Sequence, residues 1–186
     1  MPQRIQAQPE ISVVLAVRND EETIGHQIRS VARHLRGLGR TFEVIAVNDG
    51  SSDNSFAMAA LLTDQVPELR VLPRNVAGRA FLRGASEARG PVVVLLEAGR
   101  PVSLAPLGWA LSRLASGREA VILRGRYIVA RRLLALPVIV RASGPRLLFE
   151  HVFERRAQEL GIDVVGSRPK PPTPFLLRPV LRLLTA

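Results

Sequence analysis

Carboxylates and arginines gather in three short stretches, each directly after an apolar run. "RNDEE" (18–22) follows "ISVVLAV", "NDGSSD" (48–53) follows "FEVIAV", and "EAGR" (97–100) closes "PVVVLLEAGR". A carboxylate such as Asp49 accepts hydrogen bonds from the N–H groups on a nucleobase edge better than a hydroxyl does. An arginine such as Arg100 presents a permanently charged planar fork that suits phosphate oxygens. The chemistry in reach is therefore recognition of a phosphate-bearing ligand and stabilisation of charge on a departing phosphate. Each stretch also has a structural use. Asp49-Gly50 favours a turn, Ser51, Ser52 or Asp53 can cap a following helix, and acids at a helix start complement its dipole.

The elements that must position these residues follow from the apolar pattern. Continuous β-branched runs predict strands buried on both faces over 11–17, 42–47, 69–72 and 91–99, with further strands over 119–126 and 162–165. Between them, Ile24, Ile28, Val31, Leu35 and Leu38 recur at helical spacing inside a helix expected over 20–39, opened by acids and closed by arginines. Helices are also expected over 51–66, along the small-residue ridge Ala80, Gly84 and Ala88, over 107–114 and over 146–160. Strands alternating with helices predict a three-layer α/β fold with a mostly parallel central sheet. Ligands of such sheets bind beyond the carboxyl ends of the strands, where all three polar stretches fall. A site there requires Asp20, Asp49 and Glu97 to share one rim.

Composition narrows the choices. At 186 residues and 47% hydrophobic, the chain suits a single domain spanning 1–186, with a core over about 10–126 and a short C-terminal region over about 127–186. Without cysteine, thiolate catalysis and cysteine-held metals are excluded, and three scattered histidines argue against a histidine zinc site. The net charge of +10 fits a merely solvated basic surface, or else phosphate-bearing ligands or an anionic membrane. Only 4% of residues are aromatic, too few for the stacking platforms of nucleic-acid binders. The opening "MPQRIQAQPE" lacks the apolar core of a secretory leader, and no run of about 18 uncharged apolar residues predicts a membrane span. "RRLLALPVIVR" (131–141) reads as a core segment.

Taken together, "SVVLAVRNDEETI", "EVIAVNDGSSDNS" and "NVAGRAFLRGASEARGPVVVLLEAG" resemble the family 2 glycosyltransferases of GT-A fold, in particular those of dolichol-phosphate-mannose-synthase type. The resemblance covers residues 10 to 126. It implies a Rossmann-like domain that binds a nucleoside-diphosphate sugar. It places Asn19 and Asp20 at the base and ribose pocket, Asp49 on the nucleobase and Asp53 in support of that loop. Arg79 and Arg83 fall where the family carries basic residues near the pocket. "ILRGRY" matches a family segment whose last two positions are Arg126 and Tyr127, near the donor.

The departures from the pattern are as informative. The family's metal-binding Asp-x-Asp falls on Glu97-Ala98-Gly99, and Asn48 replaces the first acid of an Asp-Asp pair. Glu97 remains as a ligand for Mg2+ or Mn2+, which want several oxygens, so weak or no metal dependence is expected. Arg100, Arg124 and Arg126 then become candidates to neutralise the leaving diphosphate. Glu97, Glu150 and Glu154 are the carboxylates to test as a base, although a polyprenyl-phosphate acceptor is already anionic and needs none. Sugar transfer from a nucleotide sugar is the expected activity, with Glu97 and Arg126 at its centre. The alternative is a non-catalytic relative that binds nucleotide or a protein partner. The resemblance puts the chain on the cytoplasmic side, peripheral at the membrane, touching an anionic surface through Arg124–Arg146 and the tail from Pro174.

Overall fold

The computed structural model describes residues 8–73, 78–100, 102–141 and 149–166. The expected helix from 146 begins, and the anionic-surface segment ends, partly outside these residues; the tail from Pro174 lies wholly outside them.

The apolar runs become strands because their β-branched residues can be covered on both sides. In β1 (Ile11–Val17) and β2 (Phe42–Asn48) every residue is buried. They are joined by β3 (Leu69–Leu72) and β4 (Val92–Glu97), then β5 (Ala120–Leu123), β6 (Tyr127–Arg131) and β7 (Val164–Gly166). The sheet order is β3-β2-β1-β4-β6-β5-β7, with β6 antiparallel to both neighbours and every other pairing parallel. Helices α1 (Ile24–Gly37), α2 (Ser55–Ala60) and α4 (Leu107–Ala115) contribute to the core on one face of the sheet. Helices α3 (Ala80–Glu87), α5 (Arg132–Arg141) and α6 (Phe149–Glu159) contribute to the core on the other. This is the predicted three-layer α/β architecture.

Several boundaries differ from expectation. α1 starts at Ile24, not at the acids, which lie in the preceding loop; Asp20 C=O accepts the N–H groups of Thr23 and Ile24 to start the helix. Leu38, expected on the buried stripe, is the exposed C-cap. α2 is six residues long, and its N-cap position is Asn54. Asp53 still serves that end, accepting the N–H and the O–H of Ser55. The run over 119–126 is not one strand: it breaks after Leu123, turns, and returns as β6. "RRLLALPVIVR" then becomes the end of β6 and α5, with Ala135, Val138 and Ile139 buried. Pro137 sits inside α5 and removes one helical hydrogen bond, which obscures the helix in the sequence.

Two devices lock the layers. Gly84 lets α3 lie directly on β1, since a Cβ there would come within 2.2 Å of Val14 Cγ1. At the amino end of the sheet, the buried Glu43 carboxylate accepts the Ser12 hydroxyl (2.7 Å), the Arg89 N–H (2.7 Å) and Arg70 Nη1 (2.8 Å). Burial works against its charge, but these three bonds outweigh it and hold Glu43 below the usual glutamate range. A charge inside a sheet needs such complete pairing.

Candidate functional site

The carboxyl ends of β1, β2 and β4 stand side by side, with Ala16 in register with both Val47 and Glu97. The loops leaving β1 and β2 are stitched together. Asn19, whose φ is 55°, donates its N–H to Ser51 Oγ and accepts Ser52 N–H on Oδ1 (2.9 Å). Asp20 N–H donates to Ser55 Oγ (2.7 Å), Glu21 N–H to Asp53 Oδ2, and Asn54 N–H to Glu21 Oε2 (2.8 Å). Burial works against the Asp53 charge, yet the bonds from Ser55 and Glu21 hold its carboxyl below the usual aspartate range. Asn48 Oδ1 accepts the N–H groups of Gly50 and Ser51, closing the turn that Gly50 permits with φ 87°.

The end of β4 joins the same rim. Gly99 has φ 86°, and a Cβ built on it would lie 2.1 Å from Asp20 Oδ1. The Asp20 carboxylate therefore fills the space that a side chain at position 99 would need. Asp20 Oδ2 also accepts the Arg18 N–H at 2.8 Å. Gln27, buried on α1, donates to the Glu97 carbonyl (3.0 Å) and accepts the Gly99 N–H (3.2 Å). Gln27 was not singled out from the sequence, although a polar residue among Ile24, Ile28 and Val31 on a buried helical stripe was a visible signal.

A cavity of about 260 Å³ opens beside this rim. Its charged lining is Glu97, Arg100, Arg124, Arg126 and Glu150, with His151 alongside; Phe81, Val102 and Phe149 form apolar wall. The sequence-predicted residues divide around it. Glu97, Arg100, Arg124 and Arg126 meet at the cavity. Asn19, Asp20 and Asp53 build the neighbouring loop pair. Asp49 is 1% exposed, and its Oδ1 accepts the Gly78 N–H at 2.8 Å, so it faces inward toward the start of α3. Arg79 holds the exposed N-cap position of α3, and Arg83 pairs along that helix with Glu87 at 3.2 Å; neither lines the cavity.

Two further groups around the cavity are already engaged. Arg124 Nη2 donates to both Glu154 carboxylate oxygens, at 2.7 and 2.6 Å, and the Glu150 carboxylate accepts the Gly125 N–H at 2.9 Å. Tyr127 is 1% exposed, and its hydroxyl has no hydrogen-bond partner among the described residues. Burial pushes its pKa up to about 12, which rules it out as a base near neutrality. His151, Phe81 and Phe149 carried no signal in the sequence that would place them at a site.

A parallel sheet reversed by one antiparallel strand, with loops gathered at its carboxyl rim, defines the GT-A class of glycosyltransferase folds. Solved structures agree. A mannosyltransferase from Pyrobaculum calidifontis in complex with GDP-Man and Mn2+ superposes with a TM-score of 0.67 at 16% identity, covering 89% of this chain and 56% of that one. Glucosyl-3-phosphoglycerate synthase of M. tuberculosis gives a TM-score of 0.63 at 21% identity, covering 89% and 75%. In sequence, residues 12–98 match the model described as Glycosyl transferase family 2. Curated relatives include undecaprenyl-phosphate 4-deoxy-4-formamido-L-arabinose transferases. The protein from Pseudomonas paraeruginosa is 35% identical over 92 residues, and that from Pectobacterium carotovorum is 38% identical over 95. These matches cover 47% of this chain but only 27% and 28% of those proteins.

Mn2+ in such a neighbour raises the question of a metal here. Among the described residues, no group of three or more histidine or acidic side chains is placed to hold an ion. Position 99 offers no side chain, and its space is filled by Asp20. The described residues do not fit a protein-held divalent cation, which wants several hard oxygens.

Proposed function

We propose that this chain transfers a sugar from a nucleoside-diphosphate sugar to a phosphate-bearing lipid, with arginine in place of a protein-held metal. The supporting observation is the cavity at the strand ends, which combines Glu97, Arg100 and Arg126 with an apolar wall. At about 260 Å³ it suits a sugar with its diphosphate, and the nucleoside would extend over the stitched β1 and β2 loops. An acceptor phosphate oxygen attacks the anomeric carbon, the bond from that carbon to the diphosphate breaks, and the nucleoside diphosphate leaves. Fixed guanidinium charges at Arg100 and Arg126 stabilise the negative charge that develops on it. Of the two carboxylates lining the cavity, Glu150 is engaged by the Gly125 N–H, and Glu97 would serve as base only for a hydroxyl acceptor.

The lipid is favoured by the names of the curated relatives, which act on undecaprenyl phosphate. It is also favoured by α5, whose outward side shows Leu133, Pro137 and Val140 at helical spacing with the exposed Arg141 at its end. Such a face suits contact with an anionic membrane surface. Among the described residues no helix is long and apolar enough to cross a membrane. Calorimetric titration of UDP, GDP and their sugars, with and without Mn2+, tests the proposal. Diphosphate binding that needs no cation and weakens at least tenfold in Arg126→Ala supports it. Absence of nucleotide binding by the wild type overturns it, and binding without transfer to undecaprenyl phosphate or other acceptors favours a non-catalytic nucleotide-binding module.

A further inference from the structure

The turn between β5 and β6 consists of Arg124, Gly125 and Arg126, and it carries Arg126 to the cavity. Its own backbone closes it with one bond, from Arg126 N–H to Leu123 C=O at 2.9 Å. Gly125 stands at φ 68° and is exposed. Among the described residues the Arg126 guanidinium makes one long hydrogen bond, from Nη1 to the Ser103 carbonyl at 3.4 Å. What braces the turn comes from elsewhere in the chain. Glu150 and Glu154 lie four residues apart and so share one side of α6. The first accepts the Gly125 N–H, and the second takes the Arg124 guanidinium with both oxygens.

We propose that Glu150 and Glu154 are positioning residues for Arg126, and that Arg124 is a strut to α6 instead of a phosphate ligand. The proposal rests on the reading above, in which Arg126 meets the diphosphate. The ion pair is partly withdrawn from water, with side-chain exposures of 33% for Arg124 and 24% for Glu154. A phosphate that drew Arg124 away would leave Glu154 unpaired beside an incoming anion, and like charges oppose that exchange. Arg126 has no such carboxylate partner among the described residues, so its charge is available to a ligand.

The two roles for Arg124 predict opposite signs. Metal-free titration with UDP and with inorganic pyrophosphate is carried out on the wild type, Arg126→Ala, Glu150→Gln, Glu154→Gln, Arg124→Ala and the Arg124→Ala/Glu154→Gln double variant, with a melting temperature for each. If Arg124 is a strut, Glu154→Gln and Arg124→Ala each weaken binding by about tenfold, the scale of one hydrogen bond to a charged group, and the double variant is no weaker than either. Glu150→Gln weakens it in the same direction. If Arg124 is instead a ligand restrained by Glu154, Glu154→Gln tightens binding, and that result overturns the proposal. Glu154→Gln is nearly isosteric, so this sign is readable even if Arg124→Ala does not fold. Wild-type affinity in Glu150→Gln and Glu154→Gln, alongside lost affinity in Arg126→Ala, refutes the positioning role and leaves the phosphate reading standing. A wild type that binds neither ligand, or an Arg126→Ala variant that binds as the wild type does, brings down both.

Discussion

Replacing Gly99 by alanine probes the contact that defines this rim. Two costs combine. A non-glycine residue at φ 86° takes a left-handed conformation, worth about 1–2 kcal/mol. The new methyl would also stand 2.1 Å from Asp20 Oδ1, so the carboxylate must move by more than an ångström and strain its bond to the Arg18 N–H. Overpacking of that kind costs about 1–3 kcal/mol, giving roughly 2–5 kcal/mol in all. Urea unfolding of Gly99→Ala, Asp20→Ala and the double variant separates the terms. The backbone cost persists in both alanine-99 proteins, while the steric cost vanishes when Asp20 is absent, so the cycle returns a coupling of about 1–3 kcal/mol. Additive effects would refute the interlock. The same geometry predicts that Gly99→Asp gains no Mn2+ binding by calorimetry unless Asp20 is removed with it. Tight Mn2+ binding by the single variant would show that Asp20 yields freely.

Glu43→Gln should lose about 1.5–3 kcal/mol near neutral pH, because a charge-assisted network is reduced to neutral bonds. Its folded carboxyl lies below the ordinary range, so its contribution is present above the unfolded pKa of about 4.3 and is lost as pH falls through the folded value. The stability gap between variant and wild type should therefore narrow in acid, which urea titrations across pH would detect. Tyr127→Phe removes a buried hydroxyl that lacks a partner among the described residues, and thermal melts should show an unchanged or slightly raised melting temperature. Gly84→Ala should destabilise by about 1–3 kcal/mol, and Val14→Ala in the same chain should relieve part of that loss, read by the same unfolding assay.

The parallel half of the fold was legible because its strands carry unbroken β-branched runs and its helices a regular apolar stripe. Ile11–Val17 and Phe42–Asn48 needed no tertiary information to be recognised. The hairpin was harder to read, since only Arg124, Gly125 and Arg126 separate Leu123 from Tyr127 and they form none of the common two-residue hairpin signals. α5 was concealed by Pro137 and by apolar residues on all its sides. At the site, Glu97, Arg100 and Arg126 could be placed at the strand ends by topology alone. The commitment of Arg124 to Glu154 could not, because it depends on a helix 30 residues away. Asp49 shows the same limit: its residue type suits a base edge, but its partner, Gly78, is set by how the chain enters α3.

The reversal of β6 divides the labour between the two halves of the chain. Phe81, Leu95 and Glu97 belong to the stretch that matches the family, whereas the rest of the cavity lining, from Arg100 to His151, comes after it. Because the hairpin and α6 attach along one margin of the parallel strands, their residues can be exchanged without disturbing the loops joined around Asn19 and Asp53. Chains built this way can vary the far wall of the cavity while the loops at the strand ends stay as they are.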